Sequence, residues 1–138
     1  MISSSPGRYA RHEMLPEIGV AGQRKLSQGS VLIVGCGALG GFQAELLARA
    51  GVGRLRIADP DIVELHNLHR QILYRESDAE SKVLKVKAAA KRLGEVNSGV
   101  VVETLSERFS VQNSQSLLAG MDVVLDATDN FETRYLLN

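Results

Sequence analysis

The chain has 138 residues, enough for one domain with a substantial core and too few for two comfortable ones. Hydrophobic residues make up 44% and charged residues 23%. Sixteen basic residues balance sixteen acidic ones, so no net field draws the chain to nucleic acid or to an anionic membrane. With no Trp, 4% aromatics and a single cysteine, Cys36, the sequence offers little for base stacking and excludes an internal disulfide or a multi-cysteine zinc site.

Residues 1–30 are interrupted by Pro6, Pro16, Gly19 and Gly22 and read as an N-terminal arm with short helical pieces. "MISSSPGR" has no apolar run behind it of the signal-peptide kind, and no stretch approaches a membrane span. The expectation is a soluble, cytoplasmic protein. A nucleotide-binding domain is predicted over residues 31–138.

"SVLIV", residues 30–34, is a short continuous apolar run, the pattern of a strand covered on both faces. "GALGGFQAELLARAG" then predicts a helix with Leu39, Phe42, Leu46, Leu47 and Ala50 on its inner side and Gly51 as its stop. "RLRIAD" predicts a second strand and "VVVETL" a third. Between them, "SKVLKVKAAAKRLGEVN" predicts an amphipathic helix, with lysines and Arg92 on one face and Val83, Val86, Ala90 and Leu93 largely on the other. "VQNSQSLLAG" predicts a short helix and "DVVLDATD" a fourth strand. "DNFETRYLLN" keeps helical apolar spacing up to Asn138 with no Gly or Pro terminator, which predicts an incomplete domain.

Strands alternating with helices imply parallel pairing through right-handed crossovers. The predicted class is α/β: a Rossmann-like, doubly wound, mostly parallel sheet with strand order three-two-one-four. Ligands of such sheets sit beyond the carboxyl ends of the strands. The residues that matter should therefore follow Val34, Ala58 and Leu125.

After the first strand, "GCGALG" fits G-x-G-x-x-G at Gly35, Gly37 and Gly40. The first glycine permits the tight turn, the second lets backbone approach phosphate, and the third allows close packing of helix on strand. The following helix offers free N–H groups to an anion. Asp59 ends the second strand, where a carboxylate accepts hydrogen bonds from a ribose; before Pro60 it is also placed to initiate a turn. Cys36, between two glycines, reads as a small buried packing residue without chemistry. Up to this point a redox dinucleotide and ATP are both allowed.

The next segment separates them. "DPDIVELHNLHRQILY" supplies a second carboxylate, Asp61, and then Asn67, Arg70 and Gln71, with Leu68 and His69 in the same stretch expected at the nucleotide. The fourth strand delivers Asp126, Asp129 and Asn130, of which Asp126 more often closes a strand than touches metal. An arginine fork neutralises phosphate oxygens. A carboxylate beside a triphosphate makes sense with Mg²⁺ between them, because that ion shares carboxylate and phosphate oxygens. His12, His66 and His69 have no metal-ligand spacing with Cys or acids and read as ordinary polar residues.

"RYARHEMLPEIGVAGQRKL", "VLIVGCGALGG", "AGVGRLRIADPDIVELHNLHRQIL" and "DVVLDATDNFETRYLLN" together resemble the ThiF/MoeB/HesA group of the ubiquitin-activating-enzyme-like superfamily, from Arg8 to Asn138. The resemblance implies the N-terminal half of that fold. It also implies an ATP- and Mg²⁺-dependent adenylyltransferase acting on the C-terminal Gly-Gly carboxylate of a ubiquitin-like sulfur-carrier protein. By the same resemblance Gly35, Gly37, Ala38 and Gly40 form the nucleotide turn, Asp59 holds the ribose, and Asn67 and Arg70 engage the phosphates. Asp129 binds Mg²⁺ with Asn130 beside it, and Arg11 reaches into the partner subunit's site of a homodimer.

Three departures stand out. Ala38 replaces the family's usual glycine. "AESKVLKV" replaces the usual "GRPKV", so the phosphate lysine is Lys85 read from the helix or Lys82 counted from Gln71. The family's second half, which carries zinc ligands and in some members a reactive cysteine, is absent from these residues. The alternatives at this level are an NAD(P)-dependent oxidoreductase domain and a non-catalytic dimerisation module of the same fold.

Overall fold

The fold grows outward from the most apolar strand. A computed structural model describes residues 7–138. In it β1 (Ser30–Val34) lies between β2 (Arg54–Ala58) and β4 (Val123–Asp126), with β3 (Val101–Leu105) outside β2. The order is β3-β2-β1-β4 and every pairing is parallel, as expected. Val34 pairs with both Ala58 and Asp126, and Ala58 with Leu105, so the four carboxyl ends finish level along one edge.

Side chains alternate across this sheet. Val31, Ile33, Leu55 and Ile57 point into the larger core, under α3 (Ala38–Ala50) and α5 (Lys85–Val96). Leu32, Val34 and Ala58 point the other way, against Phe109, Leu117 of α6 (Val111–Leu118), and Leu137 of α7 (Phe131–Leu137). The predicted helix over "DNFETRYLLN" is therefore present. No helix among the described residues is long and apolar enough to cross a membrane.

The inner face of α3 departs from the expected one. Leu39, Phe42 and Leu46 are half exposed, and Gly40, Gly41, Ala44 and Ala48 are the buried residues. The cause is close approach: a Cβ on Gly40 would stand 1.9 Å from the carbonyl oxygen of Gly35. Only small residues fit beneath a helix set that near its loop, so the large apolar ones turn outward.

α5 begins at Lys85, not at Ser81. Leu84 bridges antiparallel to Ile62 and is held extended, while Lys82 has a positive φ of 48°. Lys85 is buried, contrary to its expected place on the solvated face with Lys87 and Lys91. Two elements were not anticipated: a 3₁₀ turn at Leu65–Asn67 and α4 (Glu76–Glu80). The fourth strand stops at Asp126, short of the expected end at Asp129.

Two short helices, α1 (Ala10–Glu13) and α2 (Gly19–Gln28), form the described part of the N-terminal arm. Polar contacts tie this arm to the ends of α3 and α5. His12 Nδ1 lies 2.8 Å from Gln23 Oε1, Gln23 donates to the carbonyl of Ala50 at 2.9 Å, and Asn97 donates to the Tyr9 hydroxyl at 2.7 Å. Tyr9 covers Gly51, which closes α3 in the left-handed region (φ 82°).

Candidate nucleotide site

A crevice of 570 Å³ opens beyond the level carboxyl ends of the four strands. Its floor is the turn after β1. Gly35, at φ 96°, is required there, since a Cβ would meet the carbonyl of Ala127 at 2.6 Å. Gly37 caps α3 and lines the crevice with Ala38. Gly40 lies behind the turn, where its missing Cβ lets the helix pack on Gly35.

Asp59 is buried and fixes this floor. Its Oδ2 accepts from the N–H of Cys36 at 2.7 Å and its Oδ1 from the N–H of Asp61 at 2.8 Å. The second bond is the turn-initiating contact that its place before Pro60 suggests. Each oxygen keeps a further lone pair, and Asp59 lines the crevice. In the next peptide unit, the buried Tyr74 hydroxyl donates to the carbonyl of Cys36. Burial above all pushes the Tyr74 hydroxyl well above its ordinary pKa, with the nearby Cys36, Asp59 and Asp61 acting in the same direction. Burial likewise pushes the Cys36 thiol up to about 12, which leaves it a neutral packing group, as expected.

The wall is cationic and polar. Lys85 enters the crevice from the first turn of α5, its Nζ 3.1 Å from Asp61 Oδ2. Lys82 does not line it. Arg70 does, its guanidinium donating to the carbonyl of His66 at 2.9 Å and paired with no carboxylate among the described residues. Gln71 is buried against the turn, its Nε2 3.7 Å from where a Gly37 Cβ would stand. Its Oε1 has no hydrogen-bond partner among the described residues, so a donor on a ligand would satisfy it. Asn67 lines the wall while its Oδ1 accepts from the N–H of Glu64 at 3.0 Å, which shapes the loop.

The fourth strand contributes the opposite rim. Asp129 is exposed in the crevice and forms no ion pair among the described residues. Asn130 lies beside it and caps α7, accepting from the N–H of Thr133 at 2.9 Å. Asp126 does not line the crevice; it accepts hydrogen bonds from Thr128 and Arg134. Burial opposes its ionisation, but the bonds from Thr128 and Arg134 prevail and hold its pKa below the ordinary 3.8.

Three expected residues stand apart from this assembly. Leu68 packs into the apolar core, and His69 is exposed with its Nε2 3.4 Å from Arg70 Nη1; neither lines the crevice. Arg11 is exposed on α1, outside its own chain's crevice. The sequence reading missed Glu107, Arg108 and Phe109, which line the crevice after β3. The rule that ligands sit beyond strand ends would have found them had it been extended from Val34, Ala58 and Leu125 to Leu105.

An unpaired Asp129 in a crevice also lined by Arg70, Lys85 and Arg108 suits Mg²⁺, which takes one or two protein carboxylates and completes its shell with phosphate and water. No cluster of three or more His, Cys, Asp or Glu residues suited to a metal occurs among the described residues. The site therefore fits a cation that arrives with a nucleotide and not a protein-only cage.

The ThiF family profile matches residues 9–138. The sulfur carrier protein ThiS adenylyltransferase of Bacillus subtilis is 46% identical over 132 residues, which are 96% of this chain and 39% of that protein. The adenylyltransferase and sulfurtransferase MOCS3-1 of Zea mays is 48% identical over 131 residues, 95% of this chain and 28% of that protein. Among solved structures, E. coli MccB with ATP superposes with a TM-score of 0.83 at 27% identity, covering 96% of this chain and 40% of MccB. The E. coli tRNA N6-threonylcarbamoyladenosine dehydratase TcdA, in complex with AMP, gives 0.73 at 28% identity, covering 78% and 44%. The chain thus spans well under half the length of these relatives.

Proposed function

The chain belongs to the ThiF family, and we propose that it forms the nucleotide-binding part of an ATP-dependent adenylyltransferase. Its substrate would be the C-terminal Gly-Gly carboxylate of a ubiquitin-like sulfur-carrier protein. One observation carries this reading: the glycine turn, Arg70, Lys85 and the unpaired Asp129 converge on one crevice. A dinucleotide site needs the turn and Asp59 alone, whereas Arg70 and Lys85 in one crevice with the unpaired Asp129 match a triphosphate with its metal.

In this reading the carrier carboxylate attacks the α-phosphorus, an acyl-adenylate forms and pyrophosphate leaves. A carboxylate needs no base, so the protein contributes positioning and charge compensation. The Gly37 N–H and the Gln71 Nε2 amide donate to phosphate oxygens, while Asn67 shapes the loop that carries Arg70. Arg70 and Lys85 neutralise the phosphates, and Asp59 takes the ribose on its free lone pairs. Asp129 would hold Mg²⁺, which supplies charge neutralisation across the phosphates when bound. Arg11 of the partner subunit completes the site in a homodimer. The relative named for ThiS and the one named for both adenylyl and sulfur transfer support a sulfur-carrier substrate.

The test is ATP–pyrophosphate exchange by the complete polypeptide in which these residues occur, with Mg²⁺ and several Gly-Gly-ended carriers. Carrier-dependent exchange is expected. Nucleotide-independent behaviour with every carrier, together with a melting temperature unmoved by Mg-ATP, would defeat the proposal.

A further inference from the structure

Tyr74 is the buried polar group that the chemistry above does not use. It follows the segment bearing Arg70 and Gln71 by one turn, its N–H donating to the carbonyl of Gln71 at 3.4 Å. Its ring packs in the larger core and its hydroxyl donates to the carbonyl of Cys36. That carbonyl belongs to the Cys36–Gly37 peptide, which is trans, as are all peptides among the described residues. In a trans peptide the C=O and the next N–H point in opposite directions. With the carbonyl drawn back into the core, the Gly37 N–H is turned toward the crevice that Gly37 lines. The preceding peptide is fixed as well, since the Cys36 N–H donates to Asp59.

We infer that Tyr74 is a positioning residue for phosphate binding: its hydroxyl fixes the Cys36–Gly37 peptide and joins the glycine turn to the Arg70–Gln71 segment. The inference rests on the proposed nucleotide site but adds to it a residue outside the crevice. Without the hydroxyl the Cys36 carbonyl is a buried acceptor with no donor, and the peptide can rotate its N–H away from a phosphate. The ring itself, and with it the core, is unaffected by loss of one oxygen.

The experiment compares the complete polypeptide with its Tyr74→Phe variant, using Mg-ATP and adenosine as ligands. Tyr74→Phe is expected to stay folded, with a melting temperature lowered by several degrees for the unpaired buried carbonyl, and to bind adenosine equally well. Its Mg-ATP affinity should fall about five- to tenfold, the scale of one hydrogen bond. In the nucleotide-free protein, the ¹⁵N–¹H signal of Gly37 should shift or broaden in Tyr74→Phe. Equal losses for adenosine and Mg-ATP would mark a merely structural role and overturn the inference. So would an unchanged Mg-ATP affinity with an unchanged Gly37 signal. Should the parent protein bind neither ligand, the nucleotide reading fails and the phosphate-positioning role falls with it; should it bind Mg-ATP while the Gly37 signal stays unmoved in Tyr74→Phe, only the positioning role is overturned.

Discussion

Lys85 Nζ sits 3.1 Å from Asp61 Oδ2, with the lysine side chain only 9% exposed and the aspartate 61% exposed. The asymmetry has a use. A buried ammonium is kept in place by a carboxylate that water can easily take back, so an incoming phosphate can replace Asp61 at little cost. Removing the cation removes a charged hydrogen bond to phosphate, and Lys85→Met is expected to weaken Mg-ATP binding about ten- to a hundredfold. Lys82→Met, outside the crevice, should leave it unchanged. Isothermal titration of both variants checks the contrast, and equal effects would reopen the choice between the two lysines.

Arg70 and Asp129 are both exposed and neither is held in an ion pair among the described residues, so the fold does not depend on them. Arg70→Ala and Asp129→Ala are expected to abolish ATP–pyrophosphate exchange while leaving the circular-dichroism spectrum and melting temperature intact. Loss of the folded signal in either would show a structural role.

The glycines of the turn should separate binding from stability. A Cβ at Gly40 meets the Gly35 carbonyl at 1.9 Å and cannot be placed without moving α3 off the sheet. Gly40→Ala is therefore expected to cost about 1–3 kcal/mol or more, read as a lowered melting temperature. At Gly37 the nearest atom is 3.7 Å from a new Cβ and φ is −88°. Gly37→Ala should fold normally and lose nucleotide affinity, because its methyl group occupies the approach to backbone. Chemical denaturation and nucleotide titration of the two variants give opposite patterns if this is right.

Asp126 ties β4 to the following turn and helix, accepting from Thr128 and from Arg134 at 3.0 Å. Its folded pKa is lowered below 3.8, so the folded state favours its ionised form. The contribution is present above the unfolded pKa and is lost as pH falls through the folded one. Stability of the native protein should thus fall as pH drops below about 4. Asp126→Asn should flatten that part of the acid limb and leave nucleotide affinity unchanged, since Asp126 does not line the crevice. Unfolding free energies measured between neutral and strongly acidic pH test both points.

The sheet was legible because its signals are local. A run such as Val31 to Val34 can only be a covered strand, and Gly35, Gly37 and Gly40 state where its turn must pass close to other backbone. The inner face of α3 was not legible from apolar spacing. Leu39, Phe42 and Leu46 outweigh Gly40, Ala44 and Ala48 on any hydropathy scale, and only the 1.9 Å approach to Gly35 reverses the choice. Lys85 was similarly hidden, because an amphipathic pattern assigns lysines to water and says nothing of a buried partner such as Asp61. The segment that departs from the family pattern, residues 79–86, is also where the predicted helix started too early, since the Ile62–Leu84 bridge is a contact between distant residues. Leu68 and His69 were drawn in by their neighbours: Asn67, at the end of the 3₁₀ turn, and Arg70 and Gln71, in the loop after it, line the crevice while Leu68 packs in the core.

Arg11 offers the sharpest test of assembly. It is exposed on α1, which Tyr9 and His12 dock through Asn97 and Gln23, and it does not line its own crevice. If it acts in the partner subunit's site, Arg11→Ala and Asp129→Ala damage different protomers of each composite site. Either variant alone should be inactive in exchange. Mixed after dissociation and reassociation, half the dimers pair one of each, and each such dimer carries one site with both residues intact. The mixture should recover about a quarter of the parent activity, the value a two-fold dimer with independent sites requires. A mixture as inactive as its components would place Arg11 and Asp129 in the same protomer's site, and an Arg11→Ala variant active on its own would place Arg11 in none.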